Sequence, residues 1–272
     1  MKMAVIGCGL IGGSMALSWK RAGIVDEVIA FGHNPATLQK ALDKGAADTV
    51  TTSMEEAVKD ADIVVSAVPV EAMESVFTEM APFLKSDAVV TDVGSTRQTV
   101  IAAARKGLGD KFHQYAPAHP IAGGEMPGVD YASADLFDEK VVISTPDEGM
   151  DPKVVTFIEE AWRKAGARVQ AMSPLQHDLT FASVSHLPHV LAYALVDMIA
   201  REENAQEKLK MAGAGFRDFT RIASSSPVMW RDICLSNREA LSHELERYRA
   251  SLDTLQKYID ESDGKALESV FE

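Results

Sequence analysis

A histidine at position 119 stands where an imidazole could transfer a proton. His119 follows an apolar, strand-like run and precedes Pro120 and the glycines Gly123 and Gly124, so the local pattern gives it little role in a helix or a sheet. Histidine titrates near neutrality and can take a hydroxyl proton while hydride leaves the same carbon. The residues alone leave two interpretations open: a catalytic base, or a structural histidine with its hydrogen bonds satisfied inside the fold.

A serine lies in a second polar segment, which ends a strand-like run. The segment covers residues 92–97, and a helical pattern follows it. The sequence favours Ser95 as the N-cap of that helix, because serine oxygens accept the first free amide groups of helices. The alternative is that the Ser95 hydroxyl faces a bound substrate.

Two histidines interrupt a long helical pattern in the C-terminal half. His186 and His189 flank Pro188, which predicts a kink. Three residues apart, the histidines share one face of the helix. No cysteine or carboxylate pattern accompanies them, so we expect contact with substrate and predict no metal site.

Two arginines follow a glycine-rich break. Arg217 and Arg221 are separated by a segment that contains Asp218. Arginine forks bind carboxylates through two parallel hydrogen bonds. The alternative, a solvated or salt-bridged pair with Asp218, explains Arg217 better than Arg221, so Arg221 is the candidate for binding a ligand carboxylate.

A glycine-rich turn near the N-terminus has the spacing of a dinucleotide site. An apolar run leads into Gly7, Gly9 and Gly12, and a helical pattern follows. The first glycine permits the tight turn, the second lets the backbone approach a pyrophosphate, and the third lets the helix pack against the strand. With Leu10 and Ile11 opening the helix, the turn predicts nucleotide binding.

The residues after the second predicted strand bear on which dinucleotide binds. NAD-binding proteins place an acidic residue here for the ribose hydroxyls, whereas this chain has Gly32. His33, Asn34 and Thr37 could donate hydrogen bonds to a 2′-phosphate. This pattern favours NADP; no arginine is adjacent, and an interpretation in which His33 and Asn34 only shape a turn is compatible with NAD.

The apolar pattern predicts a doubly wound α/β domain as the scaffold for these side chains. The predicted strands beyond the first span residues 27–32, 63–68, 88–93, 115–118, 140–144 and 168–172, and the predicted helices span 11–22, 36–44, 54–59, 71–84 and 97–106. Ligands bind beyond the carboxyl ends of such strands. The turns that carry the glycines, Val68 and Pro69, Ser95 and His119 are therefore expected to converge.

Helical periodicity replaces the strands after residue 172. We predict a Rossmann-type nucleotide-binding domain over residues 1–172, followed by an all-helical domain over residues 173–272. Apolar residues from Leu241 to Ile259 alternate at spacings of four and three, which is typical of a coiled-coil seam. Packing within the domain and a subunit interface both explain such a seam.

The composition limits the classes of partner. The 272 residues are 46% hydrophobic, enough for a large core, and the two cysteines fit a reducing, cytoplasmic compartment. A net charge of -13 would repel nucleic acid. No run of 18 apolar residues occurs, so we predict no membrane span. Small molecules are the expected ligands.

In this order the clusters resemble the prephenate and arogenate (cyclohexadienyl) dehydrogenase family of tyrosine biosynthesis, over nearly the whole chain. The resemblance is carried by residues 7–12, 67–69, 92–95, 119–123, 185–189, 216–223 and 230–232. It implies a nucleotide-binding domain, a helical domain that forms an intertwined homodimer, and a site between the two. It also implies oxidative decarboxylation of prephenate to 4-hydroxyphenylpyruvate, with hydride transfer to NADP or NAD.

The resemblance further implies roles for single residues. His119 matches the histidine that takes the proton of the substrate hydroxyl, and Ser95 matches a partner that orients that hydroxyl. Arg221 matches the arginine that holds a substrate carboxylate. The helix region with His186 and His189 matches one that meets the substrate side chain. Glu125 matches a carboxylate near the site entrance.

Other interpretations remain. Arogenate, which carries an amino acid side chain in place of the keto acid, is the alternative substrate. A different Rossmann dehydrogenase with a helical second domain would leave His119 unexplained, and a non-catalytic NADP-sensing protein would need neither His119 nor Arg221. We expect a monofunctional enzyme, since no chorismate mutase segment precedes the glycine turn and no regulatory domain fits after Glu272.

Overall fold

The computed structural model of the chain describes residues 1–124 and 126–272. Six strands form a parallel sheet in the order β3-β2-β1-β4-β5-β6, as expected of a doubly wound fold. Their bounds are β1 (Lys2–Ile6), β2 (Glu27–Phe31), β3 (Thr49–Thr51), β4 (Ile63–Ser66), β5 (Val89–Asp92) and β6 (Tyr115–Ala116). The Rossmann-type fold class is therefore confirmed.

A second, smaller sheet contains β7 (Ala118–Pro120), β8 (Val141–Ser144) and β9 (Arg168–Ala171). β7 runs antiparallel to β8, and β8 runs parallel to β9. The single strand predicted over 115–118 was wrong, because Pro117 has no amide N–H for a ladder and the chain passes there from one sheet to the other. The short strand β3 was not predicted at all.

Helices cover both faces of the large sheet. They are α1 (Leu10–Arg21), α2 (Pro35–Asp43), α3 (Met54–Val58), α4 (Met73–Met80), α5 (Gln98–Leu108) and α6 (Pro152–Lys164). Alternate residues of β1 point to opposite faces: Met3 and Val5 join the core cluster that contains Trp19 and Trp162, whereas Ala4 and Ile6 join the cluster that contains Phe77. A strand buried on both faces explains the continuous apolar run of its sequence.

The remaining helices are α7 (Pro174–Phe181), α8 (Leu187–Ala200), α9 (Ala205–Lys210), α10 (Ala214–Thr220), α11 (Pro227–Ser236), α12 (Arg238–Asp260) and α13 (Gly264–Phe271). By contacts the chain divides into a first unit, Met1–Asp178 with Ser224–Ser236, and a second unit, Leu179–Ala223 with Asn237–Glu272. The first unit thus includes α11 from the C-terminal part of the sequence. The domain boundary at 172/173 stays a prediction.

The second unit exposes much apolar surface. α8 is apolar around its circumference, yet only Ala192 of it is buried. The seam of α12 is buried at Leu241 but increasingly open toward its end, where Leu252 is 46% and Ile259 58% exposed. A helix that is apolar on every side needs to be covered.

The continuous helical stretch Pro174–Ala200 is long and apolar enough, by these two measures alone, to cross a membrane. Core helices of soluble assemblies also meet that test. A π-helical turn, Ala182–His186, interrupts the stretch. Pro188 follows in the first turn of α8 and has no N–H to bond the preceding turn, which accounts for the irregularity predicted there.

Candidate active site

The glycine turn joins β1 to α1 with the division of roles expected from its spacing. Gly7 has φ +93°, and a Cβ there would lie 2.7 Å from the Ala67 carbonyl oxygen. A Cβ on Gly12 would lie 2.5 Å from the Gly7 oxygen, so this glycine lets helix and strand pack closely. A Cβ on Gly9 would meet no atom within 4 Å. The space beside Gly9 suits a pyrophosphate.

The N-terminus of α1 is arranged to bind an anion. Its N-cap is Gly9, which offers no side-chain oxygen, and its first turn, beginning with Leu10 and Ile11, has no acidic residue. Helix amide groups and the helix dipole therefore favour a negatively charged group at this end. Val68 and Pro69 follow β4 beside the turn, with Val68 Cγ1 3.1 Å from the Cβ position of Gly7. Burial raises the pKa of the Cys8 thiol to about 11, so this residue of the turn stays neutral.

The residues after β2 lie at the surface. His33, Asn34 and Thr37 are exposed. Asn34 caps α2, since its Oδ1 accepts the amide of Ala36 at 2.9 Å, and the ring of His33 contacts Phe31 edge to face. The Asn34 oxygen is thus used by the fold, while its amide group and the His33 and Thr37 side chains face outward. Gly32 leaves this end of β2 without a carboxylate.

His119 lies inside β7, opposite Ile143 of β8, so the expectation that it has no sheet role was wrong. Its half-buried side chain is held by a second histidine: Nδ1 of His119 is 2.8 Å from Nε2 of His177. Nδ1 of His177 is in turn 2.9 Å from Oδ1 of Asp178. Both His177 and Asp178 are buried.

These hydrogen bonds determine which ring nitrogen of each histidine carries the proton. Burial, together with the charge of Arg97, lowers the pKa of His177 despite the hydrogen bond to Asp178, so His177 is neutral. Its single ring proton lies on Nδ1, since the carboxylate of Asp178 can only accept. Nε2 of His177 then accepts from Nδ1–H of His119. Nε2 of His119 is left with the lone pair that a general base requires.

The Asp178 carboxylate also caps α5. It accepts the amide of Arg97 at 2.7 Å and that of Gln98 at 2.9 Å. Burial would raise the pKa of Asp178, but the hydrogen bond from His177 and these two amide bonds outweigh it and lower the pKa. The favoured interpretation of Ser95 as the N-cap was therefore wrong.

Ser95 itself is half-buried in the turn between β5 and α5. Arg97 occupies the N-cap position of α5, and its own side chain does not cap the helix. With its capping role taken by Asp178, the Ser95 hydroxyl is available to contact a ligand.

His177 and Asp178 were not identified from the sequence. The sequence signal for them was Asp178, a charged residue inside the apolar stretch that follows residue 173. A carboxylate buried in such a stretch rarely lacks partners. Its partners Arg97 and Gln98 lie about 80 positions away, so the sequence does not reveal them.

The second unit holds the remaining candidates. His186 is buried in the π-helical turn, with Nδ1 3.1 Å from Nδ2 of Asn237. His189 is half-buried and donates from Nδ1 to the Ser185 carbonyl at 2.9 Å; burial lowers its pKa. The two rings thus present different tautomers, with a donor at Nε2 of His186 and an acceptor at Nε2 of His189.

Arg221 begins a 3-10 turn, Arg221–Ser224, and is exposed. Arg217 is exposed and donates to the Ala212 carbonyl at 2.7 Å, which agrees with a solvated rather than a salt-bridged side chain. Glu125 lies outside the described residues.

The chain matches family models over most of its length. The family described as "Prephenate dehydrogenase, nucleotide-binding domain" matches residues 15–171, and "Prephenate dehydrogenase, dimerization domain" matches residues 173–272. The cyclohexadienyl dehydrogenase of Zymomonas mobilis is 37% identical over 267 residues, which cover 97% of this chain and 90% of that protein.

Two solved structures are also similar. One is prephenate dehydrogenase from Aquifex aeolicus in complex with hydroxyphenyl propionate and NAD+, with a TM-score of 0.92, 36% identity, and coverage of 99% of this chain and 94% of that one. The other is arogenate dehydrogenase from Synechocystis, with a TM-score of 0.82, 27% identity, and coverage of 100% and 96%.

Proposed function

Because the chain belongs to the prephenate dehydrogenase family, we propose that it catalyses the oxidative decarboxylation of prephenate to 4-hydroxyphenylpyruvate with NADP. It is an NAD(P)-dependent oxidoreductase. The single observation that carries the mechanism is the hydrogen-bonded chain from Asp178 through His177 to His119.

His119 is the base of the proposed reaction. Its Nε2 accepts the proton of the ring hydroxyl as hydride leaves the carbon that bears it. The ring carboxylate then departs as CO2, its bonding electrons make the ring aromatic, and the phenolic oxygen regains a proton. His177 and Asp178 keep His119 in the tautomer that can accept.

The glycine turn would hold the dinucleotide. Gly9 leaves room for the pyrophosphate, and the opening amide groups of α1 would bind it. When bound, the nicotinamide supplies the hydride acceptor. NADP is favoured over NAD because Gly32 places no carboxylate beside a 2′-phosphate, while His33, Asn34 and Thr37 expose donors.

The resemblance supplies the roles proposed for the other candidate residues. The Ser95 hydroxyl orients the substrate hydroxyl. Arg221 binds a substrate carboxylate through its guanidinium fork, and His186 or His189 meets the side chain. Glu125, which lies outside the described residues, stays a candidate from the resemblance alone.

We propose a homodimer formed through the second unit. The support is the uncovered apolar surface of α8 and α12 together with the match to a dimerization domain. A cytoplasmic location is consistent with two free cysteines.

The test is to mix the purified chain with prephenate or arogenate, each with NAD or NADP, and to follow reduced nicotinamide. We expect fastest turnover with prephenate and NADP, with release of CO2. Faster turnover of arogenate would establish the alternative substrate, which the similarity to an arogenate dehydrogenase favours. Dinucleotide binding without turnover of either substrate would overturn the proposal.

A further inference from the structure

A fully buried ion pair lies at the carboxyl end of β5. Arg97 Nη1 and Nη2 are each 2.8 Å from one carboxylate oxygen of Asp92, and both side chains are 0% exposed. Burial alone would lower the pKa of Arg97, but Asp92, Tyr115 and Asp178 together outweigh it and raise the pKa, so the guanidinium stays charged. Such a pair is a poor source of stability, because the cost of removing both charges from water offsets their attraction.

The ion pair makes hydrogen bonds to both the amide and the carbonyl of Gly94. Asp92 Oδ1 accepts the amide of Gly94 at 2.7 Å, and Arg97 Nη1 donates to the Gly94 carbonyl at 2.7 Å. Both peptide groups that flank the Gly94 Cα are thereby fixed. The next residue is Ser95, whose position depends on this turn.

Arg97 also contacts Asp178, the carboxylate that begins the hydrogen-bonded chain to His119. Its own amide donates to Asp178 Oδ1, the oxygen that His177 contacts. One residue therefore touches both the turn that carries Ser95 and the carboxylate that orients His177 and, through it, His119.

We propose that Arg97 and Asp92 are positioning residues for the dehydrogenase reaction. They fix the Gly94 peptides so that the Ser95 hydroxyl is held in line with the His119 base. This inference rests on the proposed function and adds to it the reason for a buried guanidinium so close to the site. A lysine could keep the charge but cannot make two parallel bonds to Asp92 and reach Gly94 as well.

The first experiment compares Arg97→Lys with Thr145→Val. The control removes another partner of the same guanidinium, since Thr145 Oγ1 lies 3.2 Å from Nε, but leaves the Gly94 bonds intact. We expect Arg97→Lys to lower kcat by about tenfold to a hundredfold with KM for both ligands little changed. Thr145→Val should keep kcat within about twofold even where its melting temperature falls.

The second experiment repeats Arg97→Lys in a Ser95→Ala background. If Arg97 acts through Ser95, kcat falls no further there, because interacting residues are not additive. An equal loss of kcat in both backgrounds, or the same loss in Thr145→Val, would overturn the proposal.

Gly94→Ala tests the same turn where Arg97→Lys does not fold. It keeps both charged side chains but places a Cβ 2.9 Å from Asp92 Oδ1. Asp92 or the turn must shift to relieve this contact, so the variant should reproduce the loss of kcat. Full activity of Gly94→Ala would also contradict the inference. Turnover by the wild-type chain tests the proposed function separately, so failure of one is distinguishable from failure of the other.

Discussion

Nδ1 of His119 lies 2.8 Å from Nε2 of His177, so one hydrogen bond joins the two imidazole rings. Neutral His177 can only accept at this nitrogen, because its proton is directed at Asp178. The pair therefore fixes which nitrogen of His119 carries the lone pair.

Replacement of His119 by Asn should remove the base while keeping a polar side chain. We expect kcat to fall by about a hundredfold or more, with the dissociation constants of the dinucleotide and of the substrate little changed. Steady-state kinetics and calorimetric titration measure the two effects. His113→Asn is the matched control, since His113 is exposed and its ring bonds to the nearby Asp110 carbonyl. Full turnover by His119→Asn would show that another group takes the proton.

Stability should fall on mild acidification. Burial lowers the pKa values of His177 and His189 in the folded chain, so the unfolded chain binds more protons below the ordinary histidine pKa of about 6.5. The free energy of unfolding should therefore decrease as pH falls below that value. Denaturant unfolding at several pH values measures the slope. It should be shallower in His177→Gln and unchanged in His113→Gln; equal slopes in all three proteins would contradict this.

Two glycines of the dinucleotide turn should respond in opposite ways. Gly9→Ala meets no atom within 4 Å, so we expect normal stability but dinucleotide binding weakened about tenfold or more. Gly7→Ala combines a positive φ with a close carbonyl and should cost about 1 kcal/mol or more of stability. Thermal unfolding and titration with NADP separate the effects. Gly264→Ala, also in open space, should change neither; unaltered binding by Gly9→Ala would place the pyrophosphate elsewhere.

An acidic residue at the end of β2 should change the choice of dinucleotide. In Gly32→Asp the new Cβ lies no closer than 3.4 Å to Leu38, so the fold accommodates it. The carboxylate should repel a 2′-phosphate and lower the ratio of kcat/KM for NADP over NAD by about tenfold or more. Gly32→Asn controls for size without charge. An unchanged ratio would mean that the 2′ position lies away from this turn.

A charge in the open part of the α12 seam should disrupt the proposed homodimer. Leu252 is 46% exposed within one chain, and we expect Leu252→Glu to be monomeric by light scattering because a carboxylate would be buried at the interface. Thr254→Glu, at an exposed position of the same helix, should stay dimeric. A dimeric Leu252→Glu protein would assign the interface to another surface.

Local patterns predicted most of the large sheet. The β1 turn was recognisable because its glycines act within a few residues of one another, and the buried parallel strands left continuous apolar runs. The short strand β3 was missed because Thr49–Thr51 has too few apolar residues to stand out. The assignment of β7, β8 and β9 to a separate sheet depends on pairings between distant residues, which strand propensity does not reveal.

The candidate site shows the same limit. The neighbours of His119 mark it as a candidate, but its orientation depends on His177, 58 positions away. Ser95 had the composition of an N-cap, and the cap was instead supplied by Asp178 from another helix. Side chains that satisfy a helix end from far along the chain leave no local mark in the sequence.

The placement of α11 has a consequence for how the protein is made. Residues 224–236 return to the first unit after 179–223 have entered the second, and Ser236 bonds to Thr96 and Thr99. During synthesis at about 5–20 residues per second, the nascent N-terminal half waits on the order of 3–12 s for this last helix to emerge. Cutting the gene after codon 172 would yield an N-terminal fragment with that surface bare, prone to association with chaperones.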